Sequence, residues 1–101
     1  MVVDFSIMPV GKDESLSSAV APVIEIIDKS GLPYDFGPMG TTVEGDWEAV
    51  MGLIKRCRET MLETCNRVYV VIKIDERKGR TGQISEKVKS VEEKLGRRLR
   101  K

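Results

Sequence analysis

The chain has 101 residues, 41% of them hydrophobic and 33% charged, which suits one small folded domain and is too apolar for a disordered chain. Lys+Arg 17 against Asp+Glu 16 leaves a net charge of +1, so no whole-chain field points to nucleic acid or an anionic membrane. Histidine is absent and no CxxC occurs, which argues against an imidazole base and against a zinc site.

In chain order, residues 2 to 8 alternate, with Val3, Phe5 and Ile7 on one side and Asp4, Ser6 and Met8 on the other, as in a strand with one face on a core. Pro9 and Gly11 close it. Asp13 or Ser15 can cap a helix whose stripe is Leu16, Val20, Val23, Ile24 and Ile27, ended by Gly31 in a left-handed conformation. Pro22 falls inside that stripe, and one helix bent at Pro22 is expected. Tyr34–Gly37 and Met39–Glu44 read as two short strands joined at Gly37-Pro38 by an irregular hairpin. Asp46 then caps a strongly periodic helix carrying Trp47, Val50, Met51, Ile54, Cys57 and Met61, with Trp47 expected to pack in a core or an interface. Arg67–Asp75, β-branched and alternating, is the longest strand. A charged, glycine-containing loop follows, and Ile84, Val88, Val91 and Leu95 mark a last amphipathic helix stopped by Gly96.

The resulting order, β-α-β-β-α-β-α, predicts an α+β, ferredoxin-like βαββαβ sandwich with an added C-terminal helix, as a single domain over residues 1–101. Its four-stranded antiparallel sheet would carry two helices on one face, with the first and third strands central and the other face open. Cys57 and Cys65, eight apart in a helical pattern, would stand roughly 12 Å apart along the axis, so buried free thiols are expected instead of a disulfide. No apolar run is long enough to span a membrane, and the start lacks a basic region before its apolar stretch, so a cytoplasmic protein with no membrane partner is expected. Arg97, Arg98, Arg100 and Lys101 read as a solvated helix end, not a nucleic-acid contact.

The stretch PMGTTVEGDWEAV, residues 38 to 50, spends polar residues in a strand. Alternation sends Thr41 and Val43 toward the helices and Thr42 and Glu44 outward, beside Asp4, Ser6 and Met8. Three readings of that polar cluster stand open: a wet sheet face, a polar layer between subunits, or a ligand platform. The glycines at 40 and 45 imitate a phosphate loop, but Asp46-Trp47 stands where lysine and a hydroxyl residue are needed, which removes a nucleotide site. Asp4 and Glu44 could form an acid and base pair, yet nothing nearby supplies a nucleophile or an oxyanion site, so an enzyme is not expected. Arg77 and Arg80 could meet a phosphate tail if their loop folded over the platform.

MPVGKDESLS at 8 to 17, SGLPYDFGPMGTTVEGDWEAVMGLI at 30 to 54 and KIDERKGRTGQISEKVKSVEEKL at 73 to 95 resemble the small thiamine-binding proteins related to the two-copy YkoF type. The GTTVEG run before an acidic helix start is the most specific part. The resemblance implies a ferredoxin-like subunit that self-associates to a homodimer or homotetramer and binds thiamine or its hydroxymethylpyrimidine moiety without chemistry and without a cofactor or metal. It implies a ligand site on the open sheet face or at a subunit boundary. There Ser6 and Thr42 would hydrogen-bond the pyrimidine, Glu44 would meet its amino group or the thiazolium charge, Met8 and Met39 would pack on ring faces, and Gly40 would admit backbone close to the ligand. Cys57 stands where the resemblance leads one to expect a histidine, and its place on the apolar stripe makes it a packing residue. The alternative is a structural or regulatory oligomeric module whose polar sheet layer fixes subunit register.

Overall fold

The computed structural model describes residues 1–11, 16–78 and 83–96. Seven elements follow one another: β1 (Val2–Pro9), α1 (Leu16–Lys29), β2 (Tyr34–Gly37), β3 (Gly40–Glu44), α2 (Trp47–Leu62), β4 (Val68–Asp75) and α3 (Gln83–Leu95). The strands form one antiparallel sheet in the order β2-β3-β1-β4, so β1 and β3 are central as expected. The expected caps Asp13 and Ser15, Arg80 and the basic tail lie outside the described residues.

Register fixes the two faces. Val3 pairs with Val43 and Phe5 with Thr41, while on the other side of β1 the same residues pair with Ile74 and Ile72. Period-two geometry then places all of these on the helix side and Asp4, Thr42 and Lys73 together on the other. The core follows from this parity: Val3, Phe5 and Val43 pack with Val23 and Ile27 of α1 and Val50, Leu53, Ile54, Cys57 and Met61 of α2.

α1 runs unbroken through Pro22 to Lys29 and ends at Gly31, whose φ of +79° is the left-handed conformation that glycine adopts without a Cβ penalty. α2 is capped as its sequence suggests, Asp46 Oδ1 accepting from the Ala49 N–H at 2.8 Å. One expectation is corrected. The hairpin between β2 and β3 is a two-residue turn, since Gly37 pairs with Gly40 across Pro38 and Met39. Because neither Pro38 nor Met39 is among the residues with positive φ, the turn is not one of the primed types that match strand twist, and such a turn splays the strands it joins. Trp47 is 51% exposed and outside the core of this chain, whereas Leu53 is fully buried. The contact face of α2 is centred on Leu53 and Cys57, one helical step away from Trp47.

α3 lies on the face opposite α1 and α2, against β3. At that corner the Ile84 N–H donates to Glu44 Oε1 at 3.4 Å. The far strand β4 borders only β1, and its helix-side residues Ile72 and Ile74 remain partly exposed, as do Tyr69 and Val71 on the other face.

Candidate functional site

β1 has eight residues and β3 five, and this mismatch opens a site that gathers several of the residues singled out from the sequence. The β1–β3 ladder ends at Phe5–Thr41, yet β1 continues beside β4 as far as Pro9–Val68. From Ile7 to Pro9, therefore, no described strand lies next to the β3-facing side of β1.

A cleft of about 190 Å³ occupies that gap. One wall is β1, another is the inner face of α1 with Val20, Val23, Ile24 and Ile27, and the third is the β2–β3 hairpin from Phe36 to Thr41. Residues of both sheet faces meet in it, Phe5, Ile7 and Thr41 from the helix side and Ser6, Met8 and Gly40 from the other. This follows from a break in the sheet, where the two faces become continuous.

Of the six residues expected to hold a ligand, Ser6, Met8, Met39 and Gly40 line the cleft; Thr42 and Glu44 do not. Ser6 and Gly40 are half-buried, Met8 is exposed at the rim, and Met39 stands at the hairpin tip with 90% of its surface exposed. Thr42, half-buried, sits in register between Asp35 and Asp4 on the outer face, with Lys73 on the far side of Asp4. Glu44 has the outward parity expected of it, but it is only 8% exposed, because α3 closes that corner of the sheet. Its carboxylate works as an anchor for the first turn of α3, where negative charge also suits the helix dipole.

Gly40 has a steric reason to be glycine. A Cβ there would lie 3.1 Å from Asp4 Oδ1 and 3.2 Å from the Phe5 carbonyl oxygen, so the hairpin comes as close to β1 as backbone permits. Sequence reasoning missed the cleft's walls. Val20 and Ile24 read as ordinary stripe residues of a core helix and Phe36 as a strand residue, and only the unequal lengths of the first and third strands hinted that the wall would be left open.

Among the described residues of the lining, the hydroxyls of Ser6 and Thr41 are the side-chain polar groups, beside the thioethers of Met8 and Met39. Among the described residues no cluster of three or more Cys, Asp or Glu could hold a metal ion. Burial pushes the Cys57 thiol up to about 11, its Sγ lying 4.0 Å from the Val23 carbonyl oxygen inside the core, so it stays protonated and unreactive. It is a packing residue.

The family model described as thiamine-binding protein matches residues 3–92. The chain belongs to the thiamine-binding protein family. Proteins similar to it include a UPF0045 protein of Methanocaldococcus jannaschii, 37% identical over 93 residues that cover 92% of this chain and 93% of the relative. A UPF0045 protein of Mycobacterium bovis is 38% identical over 96 residues, 94% of either chain. The crystal structure of the Methanocaldococcus protein, called hypothetical, matches with a TM-score of 0.82 at 37% identity, over 91% of this chain and 95% of that one. A structure from Thermotoga maritima, of a protein assigned provisionally to thiamine biosynthesis or salvage, matches with a TM-score of 0.78 at 30% identity, over 89% of this chain and 96% of the other. Family membership and fold agree, and the family carries a binding name, not a reaction.

Proposed function

We propose that this member of the thiamine-binding protein family is a non-catalytic binding protein for thiamine or its hydroxymethylpyrimidine moiety, acting in the cytoplasm as one domain. The observation that carries the reading is the cleft at the broken β1–β3 ladder, which joins Ser6, Met8, Met39 and Gly40 to an apolar wall of α1. A flat heteroaromatic ring fits such chemistry: its faces pack on Phe36, Ile24 and the two methionines, and its edge meets the Ser6 and Thr41 hydroxyls and the free side of β1. Thr42 and Glu44 then act on the outer face, Glu44 by holding α3, and not in ligand contact.

Self-association to a dimer or tetramer belongs to the same proposal. Its support is the long edge strand β4, without proline and with Tyr69, Val71, Ile72 and Ile74 all partly exposed, together with Val91 and Leu95 of α3. Sheet edges of this kind are rarely left bare in a stable monomer. Light scattering on a sizing column tests it, and a clean monomer at micromolar concentration refutes it.

Calorimetric titration with thiamine and with hydroxymethylpyrimidine tests the binding reading. Heat is expected with the wild-type chain and is expected to vanish in Ile24→Trp, which fills the cleft from the α1 side. Absence of heat and of any thermal shift with both compounds refutes it.

A further inference from the structure

Two thioethers of this chain stand in water at the mouth of the cleft. Met39, at the hairpin tip, has 90% of its surface exposed, and Met8, on the β1 wall, 48%. Both line the cleft. The other methionines are placed differently: Met61 is buried in the core at 1%, and Met1 and Met51 are half-buried against it. Single exposed apolar side chains are ordinary on a protein surface. What sets this pair apart is its position, since two walls of one cleft carry the same oxidisable group at its entrance.

Methionine sulfur needs no ionisation to be oxidised, so access to solvent decides which one reacts, whereas cysteine reacts as the thiolate. Cys57 and Cys65 are buried, at 0% and 7%, and do not compete for a peroxide. With hydrogen peroxide the step is a two-electron oxygen transfer. A lone pair of the Met39 sulfur takes one peroxide oxygen, the O–O bond breaks and an S–O bond forms. The proton of the transferred oxygen passes to the departing hydroxide, which leaves as water; sulfur is oxidised and peroxide reduced. The product is a methionine sulfoxide, polar and chiral where the thioether was apolar. Such a group is costly to bring into an apolar site without a hydrogen-bond partner, so the oxidised side chain stays in water and its packing on a ring is lost.

Resting on the binding reading above, we infer that Met39, followed by Met8, is a peroxide-sensitive modification site through which oxidation loosens the cleft's hold on a ring. The chain then holds its ligand under reducing conditions and releases it when peroxide accumulates. A sulfoxide reductase working from a dithiol, which returns the sulfur to the thioether and releases the oxygen as water, resets it.

The test treats the folded, full-length protein with hydrogen peroxide and follows each methionine by peptide mass spectrometry, with calorimetric titration of hydroxymethylpyrimidine before and after. Met39 is expected to oxidise first and Met8 second, Met39 at least about ten-fold faster than Met61. With both oxidised, affinity is expected to fall about two- to ten-fold, the worth of a thioether–ring contact, and to return after treatment with methionine sulfoxide reductase. Oxidation of Met51 or Met61 as fast as that of Met39 overturns the modification site. Affinity that survives sulfoxide formation, or that stays low once the thioethers are restored, overturns the redox control and leaves the binding reading in place. No heat from the untreated protein overturns the binding reading and the control of binding with it, while the order of oxidation still decides the modification site.

Discussion

Replacing Glu44 separates two roles that its outward parity leaves open, ligand contact and support of α3. The carboxylate accepts from the Ile84 N–H at 3.4 Å, longer than the 2.7 to 3.2 Å of a good N–H···O bond. Hydrogen bonds to charged groups contribute about 1.5 to 3 kcal/mol, so a long one contributes about 1 kcal/mol, and the favourable charge at a helix N-terminus adds about 0.3 to 1 kcal/mol. Together these make about 1 to 2 kcal/mol, a factor of roughly 5 to 30 in a local opening equilibrium. Amide hydrogen exchange reads this directly. Glu44→Met, which keeps the bulk and removes the acceptor, is expected to speed exchange at Ile84 by that factor. Glu44→Gln, which keeps an acceptor oxygen and loses the charge, is expected to have a smaller effect in the same direction. Affinity for any cleft ligand is expected to hold in both. Unchanged exchange at Ile84 in Glu44→Met refutes the anchoring role, and lost ligand affinity with unchanged exchange restores the ligand role.

Three further outcomes follow from the geometry. Gly40→Ala puts a Cβ 3.1 Å from the Asp4 carboxylate and 3.2 Å from the Phe5 carbonyl, a few tenths of an ångström inside ordinary contact; crowding of that kind costs about 1 to 3 kcal/mol, so chemical denaturation is expected to show a lower midpoint. Asp46→Ala removes the α2 cap and is expected to cost about 1 kcal/mol in the same assay. The Cys57 thiol has a folded-state value raised from 9.0 to about 11, so the folded chain keeps a proton that the unfolded chain releases. Its contribution to stability is full below pH 9 and is lost as pH rises toward about 11. Thermal melts across that window are expected to fall more steeply for the wild type than for Cys57→Ala, and parallel curves refute the assignment.

The sheet was legible because its signal is local. Alternation in Val2–Pro9 and in Gly40–Glu44 sorted Phe5 and Val43 from Asp4 and Thr42, and the ladder registers agree with that sorting pair by pair. Helix ends at Gly31 and Gly96 were legible for the same reason, both having the positive φ that a left-handed stop requires. Burial was harder to read. Parity gives the face on which Glu44 stands but not what covers that face, and α3 arrives there from forty residues further along the chain. Leu53, absent from the stripe read in the sequence, is buried, because a periodic stripe fixes the direction of a helix face only to within a step and the sheet against which α2 packs decides the rest. The cleft was the least legible feature. It belongs to no element and arises where one strand outlasts another, so no residue type marks it, although four of the expected ligand residues line it.

The unequal strands also make the cleft's dimensions adjustable by insertion or deletion alone. Two more residues on each arm of the β2–β3 hairpin would allow Gly40's predecessors to pair with Ile7 and Met8, extend the ladder and zip the cavity shut without touching the core. Removal of a residue pair would lengthen the gap instead. In this architecture, hairpin length is a ruler for the molecule that fits, and a relative with a longer hairpin would keep the fold while having no room for a ring.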